Sequence, residues 1–411
     1  EIPLRLVGSE MCIRDRHMDD IQNLGIDVLY MTPIFQSNSC HKYDTTDYYQ
    51  IDPSFGTTED LKELVQKAHE RGMKVVLDAV YNHTGREFFA FADILENGEK
   101  SKYRDWYFID GFPLKSEWGE IPNFKCFGYY GGMPKLNLKN PEVEKYITDV
   151  ACYWIKECDI DGWRLDVGDE ISHFFWKNFR KAVKAVKKDM LIIGEIWHYA
   201  GDFLEGDEWD TVMNYPFYLN LIDLLADEKI TVSQFVQNLG YLKGRLHKNC
   251  YPLMWNLIDS HDTARFLHLC NDNKKKQHLA AAFQLLLPGM PMIYYGDEYA
   301  MPGANDPDCR RGMYWDEEYQ DKEMYEWYKR LIQVRKSHAC IVEGELAGSV
   351  TEDAEGTVVL IRKNGEETIA MIFNCSSSAK KFNEYTQKYN LLTENTFDGN
   401  VEGFDAAVIV L

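Results

Sequence analysis

Short apolar runs alternate along most of the chain with longer stretches whose apolar positions recur every three or four residues. The first kind predicts strands buried on both faces and the second amphipathic helices; their regular alternation predicts a parallel α/β sheet. The end of a helix at His17–Leu24 is followed by the strand VLYMTP (Val28–Pro33), a helix over Thr58–Arg71 and the strand KVVLDAVY (Lys74–Tyr81). An irregular segment from His83 to about Asn140, rich in Gly, Pro and aromatic residues, then breaks the rhythm. An excursion of that size predicts a functional insertion. Alternation resumes with a helix over Pro141–Cys158. Asn140 can cap it, Pro141 suits its first turn, and Val143, Ile147, Val150, Trp154, Ile155 and Cys158 share one face. GWRLDV (Gly162–Val167), a helix near Glu170–Lys187, LIIGEIW (Leu191–Trp197), TVMNY (Thr211–Tyr215), MWNLIDS (Met254–Ser260) and MIYYGDE (Met292–Glu298) bring the strands to seven. An eighth, first in order, would lie before His17. The expected fold class is therefore α/β, a (β/α)8 TIM barrel lacking its first strand, with an insertion after barrel strand 3.

Past the helix Glu323–Lys336 the period shortens. TVVLIRK (Thr357–Lys363), TIAMIFN (Thr368–Asn374) and AAVIVL (Ala406–Leu411) predict a C-terminal antiparallel β-sandwich domain over 338–411, behind a catalytic barrel over 17–337 whose insertion spans about 83–140. Residues 1–16, EIPLRLVGSEMCIRDR, follow neither period. The run LVGSEMCIRD resembles a translated transposase sequencing adapter, so a non-native leader is expected, with the native polypeptide starting near His17.

Composition narrows the partners. The 411 residues, 45% of them apolar, support one large domain and a smaller one. A formal net charge of −21 offers no positive field to nucleic acid or anionic membrane, and a neutral substrate such as a sugar fits it better, although much of the charge also serves solubility. No apolar run is long enough to span a bilayer. Ten cysteines include no C-x-x-C pair or Cys/His cluster of zinc spacing, so neither metal nor redox cofactor is expected, and free thiols at this density point to the cytoplasm.

Polar clusters sit at four predicted strand ends: DAVYNH (Asp78–His83), DGWRLDV (Asp161–Val167), GEIWH (Gly194–His198) and SHDTAR (Ser260–Arg265). In a parallel barrel these ends converge on one face. Carboxylates gathered there raise one another's pKa, an arrangement that glycoside hydrolysis uses, with one carboxylate attacking and another moving the proton. Taken singly, Asp166 beside Arg164 also reads as a structural ion pair, Glu195 as a core-edge carboxylate, and His83 and His261 as structural hydrogen-bonders.

Together, in this order, the four segments resemble the conserved regions of the α-amylase family, glycoside hydrolase family thirteen. The resemblance implies that Asp166 is the nucleophile, Glu195 the general acid/base, and Asp262 the residue that grips sugar hydroxyls at the transition state. It implies that Arg164, on the same strand face as Asp166, keeps the nucleophile ionised, and that His83 and His261 bond the reacting glucose. Asn82 matches a calcium-binding position of many α-amylases, but no full ligand set accompanies it and no metal is assigned.

MPKLN (Met133–Asn137) and SNSCHKYDTTDYYQIDPSFG (Ser37–Gly56) are similar to segments of the neopullulanase, cyclomaltodextrinase and maltogenic amylase subfamily. That resemblance implies that Tyr43 stacks on the reacting glucose, that Glu170 and Trp197 line the acceptor side, and that Asp306 and Arg310, in NDPDCRRGMYWD, contact the donor side. Phe88, Phe89, Trp106, Tyr107, Phe124 and Phe127 read either as sugar platforms or as packing. The implied substrates are cyclodextrins, maltooligosaccharides or pullulan, cleaved at α-1,4 bonds with some transglycosylation. The subfamily's N-terminal β domain, which helps form a dimer, is missing from this sequence, so truncation is expected and the full-length protein is expected to be a homodimer. An α-glucosidase, a glucanotransferase, an inactive scaffold and a Mg²⁺-dependent barrel stay open as alternatives.

Overall fold

Strand formation follows the apolar runs. β1 (Val28–Met31), β4 (Lys74–Ala79), β5 (Gly162–Leu165), β6 (Leu191–Gly194) and β7 (Thr211–Val212) form a parallel sheet in the order β1-β4-β5-β6-β7. Its register pairs Tyr30 with Val76, Asp78 with Arg164, Leu165 with Gly194, and Gly194 with Val212. β5 is buried at every position, as a sheet covered on both faces requires. An antiparallel pair, β2 (Phe35–Ser37) and β3 (Thr45–Ile51), lies between Pro33 and Thr58, where no strand was expected.

The computed structural model describes residues 17–115 and 121–411, so the expected leader and the position before His17 where an eighth strand was expected lie outside the described residues. Two compact units make up the chain: one runs to Ile196 and includes Asp202–Val212, and the other comprises Trp197–Gly201 and Met213–Leu411. Among the described residues no helix is long and apolar enough to cross a membrane.

In the first unit, Thr58–Glu70 opens with a capping box between Thr57 and Asp60, and Pro141–Cys158 opens on the Asn140 side chain. Such caps are each worth about 1 kcal/mol. The second helix buries the predicted stripe, including Trp154, which stacks on Phe35 at 5.1 Å and donates its indole N–H to the Tyr48 carbonyl at 2.8 Å. The insertion contains a helix, Phe89–Asn97, and its aromatics pack on one another: Phe91 meets Tyr107 at 5.0 Å and Phe124 at 5.1 Å.

In the second unit, β8 (Trp255–Asn256) pairs in parallel with β9 (Met290–Pro291), and Met213 bridges Trp255. The strand expected at Met292–Glu298 is thus displaced to Met290–Pro291. Gly296 at φ 89° turns the chain, and Asp297–Tyr299 closes as a 3-10 turn. Beyond Lys322–Ser337, six antiparallel strands run in the order Glu345–Glu352, Thr357–Asn364, Glu367–Asn374, Asp405–Val410, Tyr389–Asn390, Asn395–Thr396. Their apolar face and the small pair Lys380–Lys381 and Asn400–Val401 enclose a core of Val359, Ala370, Ile372, Phe382, Phe397, Val401, Ala407 and Ile409. Phe283 of the buried helix Lys274–Leu286 stacks on Phe373 of this sheet at 4.2 Å.

Candidate active site

Asp166 and Glu195 each follow the last residue of a strand. Their N–H groups donate to Ala79 (3.2 Å) and Leu165 (3.0 Å), extending the parallel ladder by a rung and fixing both backbones at the C-terminal edge of the sheet. Between them lies Arg164, completely buried. Its Nη1 donates to both oxygens of Asp78 (3.1 and 3.0 Å) and to Asp166 Oδ1 (3.1 Å), while Nη2 lies 2.9 Å from Glu195 Oε2. Burial alone would lower the guanidinium's pKa, but the charges of Asp78 and Glu195 outweigh it and hold it well above the usual arginine value. One cation faces three carboxylates, so the cluster is short of positive charge.

Asp78, which the sequence placed in a strand-end cluster without a role, and Tyr30, which it passed over, complete the cluster. Asp78 Oδ2 accepts from the hydroxyls of Tyr30 (2.6 Å) and Tyr43 (3.0 Å). Burial first, and then the Asp78 charge, raise both phenols well above the ordinary tyrosine value, so both remain neutral donors. The signal for Asp78 was a charge inside the apolar strand KVVLDA, and for Tyr30 only the register that brings β1 beside β4.

Immediately after Asp166, Val167 sits in the left-handed region (φ 47°, ψ 43°), and its N–H donates to Glu195 Oε2 at 3.0 Å. A β-branched residue there costs on the order of 1–3 kcal/mol, strain of the kind found beside reacting groups. Trp209 fits against Gly168 and Gly194, where an added Cβ would overlap its ring.

His83 is buried, bonds the Tyr43 carbonyl through Nε2 at 3.1 Å, and stacks on Phe127 at 5.2 Å. Burial lowers its pKa to about 4. Glu170 accepts from Lys135 Nζ (2.6 Å) in the MPKLN segment and from Asn82 Nδ2 (3.4 Å). In the second unit, Trp197 lies flat on buried Tyr215 at 3.8 Å and remains 42% exposed. There too, Asp262 Oδ2 lies 3.0 Å from His261 Nε2, and its Oδ1 lies 3.4 Å from Arg310 Nη2. Arg310 Nε also donates to the His261 carbonyl (2.8 Å) and reaches Asp306 at 3.1 Å. The structure therefore gathers Tyr43, Arg164, Asp166 and Glu195 in one unit, and His261, Asp262, Asp306 and Arg310 in the other.

A buried charge cluster in the second unit went unpredicted. Arg265 donates to Asp297 Oδ1 (3.2 Å) and the Tyr295 carbonyl (2.9 Å), and Asp259 accepts from the Phe266 N–H (2.7 Å). Burial raises Asp259 and Asp297 and pushes Glu298 up to about 7.

A parallel α/β sheet that carries buried carboxylates at its strand ends, clamped by one arginine, is an arrangement that glycoside hydrolysis can use. Residues 13–344 match the family model described as the alpha amylase catalytic domain, and the chain belongs to that family. It is 47% identical over 377 residues to the cyclomaltodextrinase of Geobacillus thermopakistaniensis (strain MAS1), covering 92% of this chain and 64% of the relative. To neopullulanase 2 of Thermoactinomyces vulgaris it is 44% identical over 355 residues, covering 86% and 60%. It thus spans less than two thirds of these relatives' lengths. A solved cyclomaltodextrinase structure superposes with a TM-score of 0.94 at 38% identity, covering 99% of this chain and 72% of that one. The fold class is the TIM barrel of this family with a C-terminal antiparallel domain.

Proposed function

We propose that the chain is a retaining glycosidase that hydrolyses α-1,4-glucosidic bonds in cyclodextrins, maltooligosaccharides or pullulan, with transglycosylation as a side reaction. Asp166 attacks the anomeric carbon while Glu195 protonates the departing glycosidic oxygen, leaving a covalent glycosyl-enzyme. Glu195 then takes a proton from the water, or the acceptor sugar hydroxyl, that displaces Asp166. Two displacements at one carbon restore its configuration. The observation that supports this pairing is the single guanidinium of Arg164 in contact with both carboxylates. Asp262 takes the third role, gripping the sugar hydroxyls, on the strength of its motif. No step in this scheme needs a cofactor. The nine described cysteines are all free thiols, which supports a cytoplasmic setting, and the subfamily resemblance supports a homodimer for the full-length protein.

Product analysis on cyclodextrin, maltotriose and pullulan tests the substrate assignment. Cleavage of all three is expected. Untouched cyclodextrin and pullulan beside cleaved isomaltose or sucrose would replace it with an α-glucosidase assignment.

A further inference from the structure

The turn that carries Asp262 is tied at its base by two buried side chains of the second unit. Asp259 Oδ2 accepts from the Phe266 N–H at 2.7 Å, closing the segment on itself. Within it, the Ser260 N–H donates to Thr263 Oγ1 (2.9 Å) and the Asp262 N–H to Ser260 Oγ (3.2 Å). The Arg265 N–H donates to the Gly303 carbonyl (3.0 Å), and its guanidinium donates to Asp297 Oδ1 (3.2 Å) and the Tyr295 carbonyl (2.9 Å). The carboxyl groups of Asp259 and Asp297 lie within hydrogen-bond reach of each other. Yet Asp259 Oδ1 and Asp297 Oδ2, both buried, meet no N–H or O–H donor among the described residues. Facing carboxylate oxygens only accept, so they cannot bond one another unless one carries a proton. A single proton on Asp297 Oδ2 satisfies both at once. It also leaves one negative charge on the pair to face one guanidinium, where two would be costly to bury.

The surrounding groups favour that placement. The Phe266 N–H supports charge on Asp259, while the buried carboxyl of Glu298, which accepts from the Gly296 N–H at 2.8 Å, opposes charge on Asp297. Tyr328, of the helix Lys322–Ser337, faces the three acids and stays a neutral phenol. Gln277, of the helix Lys274–Leu286, donates to the Asp297 carbonyl at 3.1 Å. The rings of Tyr294 and Tyr295 lie 4.5 and 5.0 Å from the Arg265 guanidinium. We propose that Asp297 holds a proton shared with Asp259, and that the bridged pair makes Asp297 a positioning residue, fixing through Arg265 and Asp259 the turn that presents Asp262. The positioning part rests on the proposed role of Asp262.

Burial, and then the Asp259 charge, raise Asp297 well above the ordinary carboxyl value. The folded chain therefore keeps a proton that the unfolded chain releases near pH 3.9, to within about a unit. The stability it contributes is complete below that pH and declines as pH rises toward the raised folded value. Thermal melting at pH 5 and pH 8, with kinetics on maltotriose, tests both parts in the wild type, Asp297→Asn and Asp297→Leu. Asparagine offers an N–H to Asp259 and a carbonyl oxygen to Arg265 at either pH. Its Tm relative to the wild type should therefore rise by a few degrees from pH 5 to pH 8, the titration of Glu298 being common to both proteins. Leucine offers neither group, so kcat should fall about tenfold to 100-fold with KM nearly unchanged, and asparagine should restore it. A Tm difference between wild type and Asp297→Asn that does not change with pH would overturn the shared proton, whether or not Asp297→Leu folds. Loss of kcat in a folded Asp297→Asn, or wild-type kcat in Asp297→Leu, would overturn the positioning role. Absence of wild-type turnover on maltotriose would overturn the reading of Asp262 and the positioning role with it, while the melting comparison still decides the proton.

Discussion

At the scale of single residues, Arg164 is the position on which the site depends most. Its fork reaches Asp78 and Asp166 from one nitrogen and Glu195 from the other, which the single ammonium of a lysine cannot reproduce. Arg164→Lys should therefore lower kcat about 100-fold or more, the scale expected when reacting groups shift by about 1 Å. Arg164→Met, which leaves buried carboxylates without their counter-ion, should also cost roughly 3–5 kcal/mol of stability. Unchanged kcat in the lysine variant would show that the fork is not needed. Asp166→Asn should abolish turnover by several orders of magnitude with an unchanged circular dichroism spectrum, because an amide cannot form the glycosyl ester. His83 supplies a pH dependence. Its folded pKa, about 4, lies below the ordinary 6.5, so its neutral form is favoured in the fold. The stability it contributes is complete above pH 6.5 and is lost as pH falls from about 6.5 to about 4, reaching about 3 kcal/mol. Nitrogen-15 NMR of the imidazole should show the neutral ring from pH 8 to about 6 and no more than about a tenth of it protonated at pH 5; titration near 6.5 would contradict the buried placement.

At the scale of elements, the strand ends are positioned by what packs behind them. Gly194 closes β6 directly before Glu195, and Trp209 occupies the space its missing side chain leaves. Gly194→Ala should displace the indole, destabilise the fold by about 1–3 kcal/mol and reduce activity together with Tm. A wild-type melting curve for this variant would refute the tight packing. Elements of this kind were legible to different degrees in the sequence. The helix Pro141–Cys158 matched its predicted bounds because cap, proline and apolar stripe agree. The pair β2 and β3 was missed because two register shifts within three residues destroy the alternation that marks a strand. Glu345–Glu352 was missed because nearly every position on it faces water, leaving no pattern to read. The final barrel strand was misplaced by its own apolar residues, which continue past Pro291 into a turn.

At the scale of the whole molecule, the barrel architecture and the place of Asp166 and Glu195 at strand ends were legible, since strand rhythm and strand-end motifs are properties of neighbouring residues. The machinery around them was not, because it depends on residues distant in sequence. Tyr30 meets Asp78 across 48 positions and Arg164 meets Asp78 across 86, joined by a cross-strand register that no single segment encodes. In the proposed reaction Asp166 and Glu195 act as a retaining pair. Proton NMR of the first sugar released from an α-linked substrate, recorded before mutarotation, tests this most directly. Two displacements predict the α-anomer as the initial product; initial release of the β-anomer would mean a single displacement by water and would contradict the account.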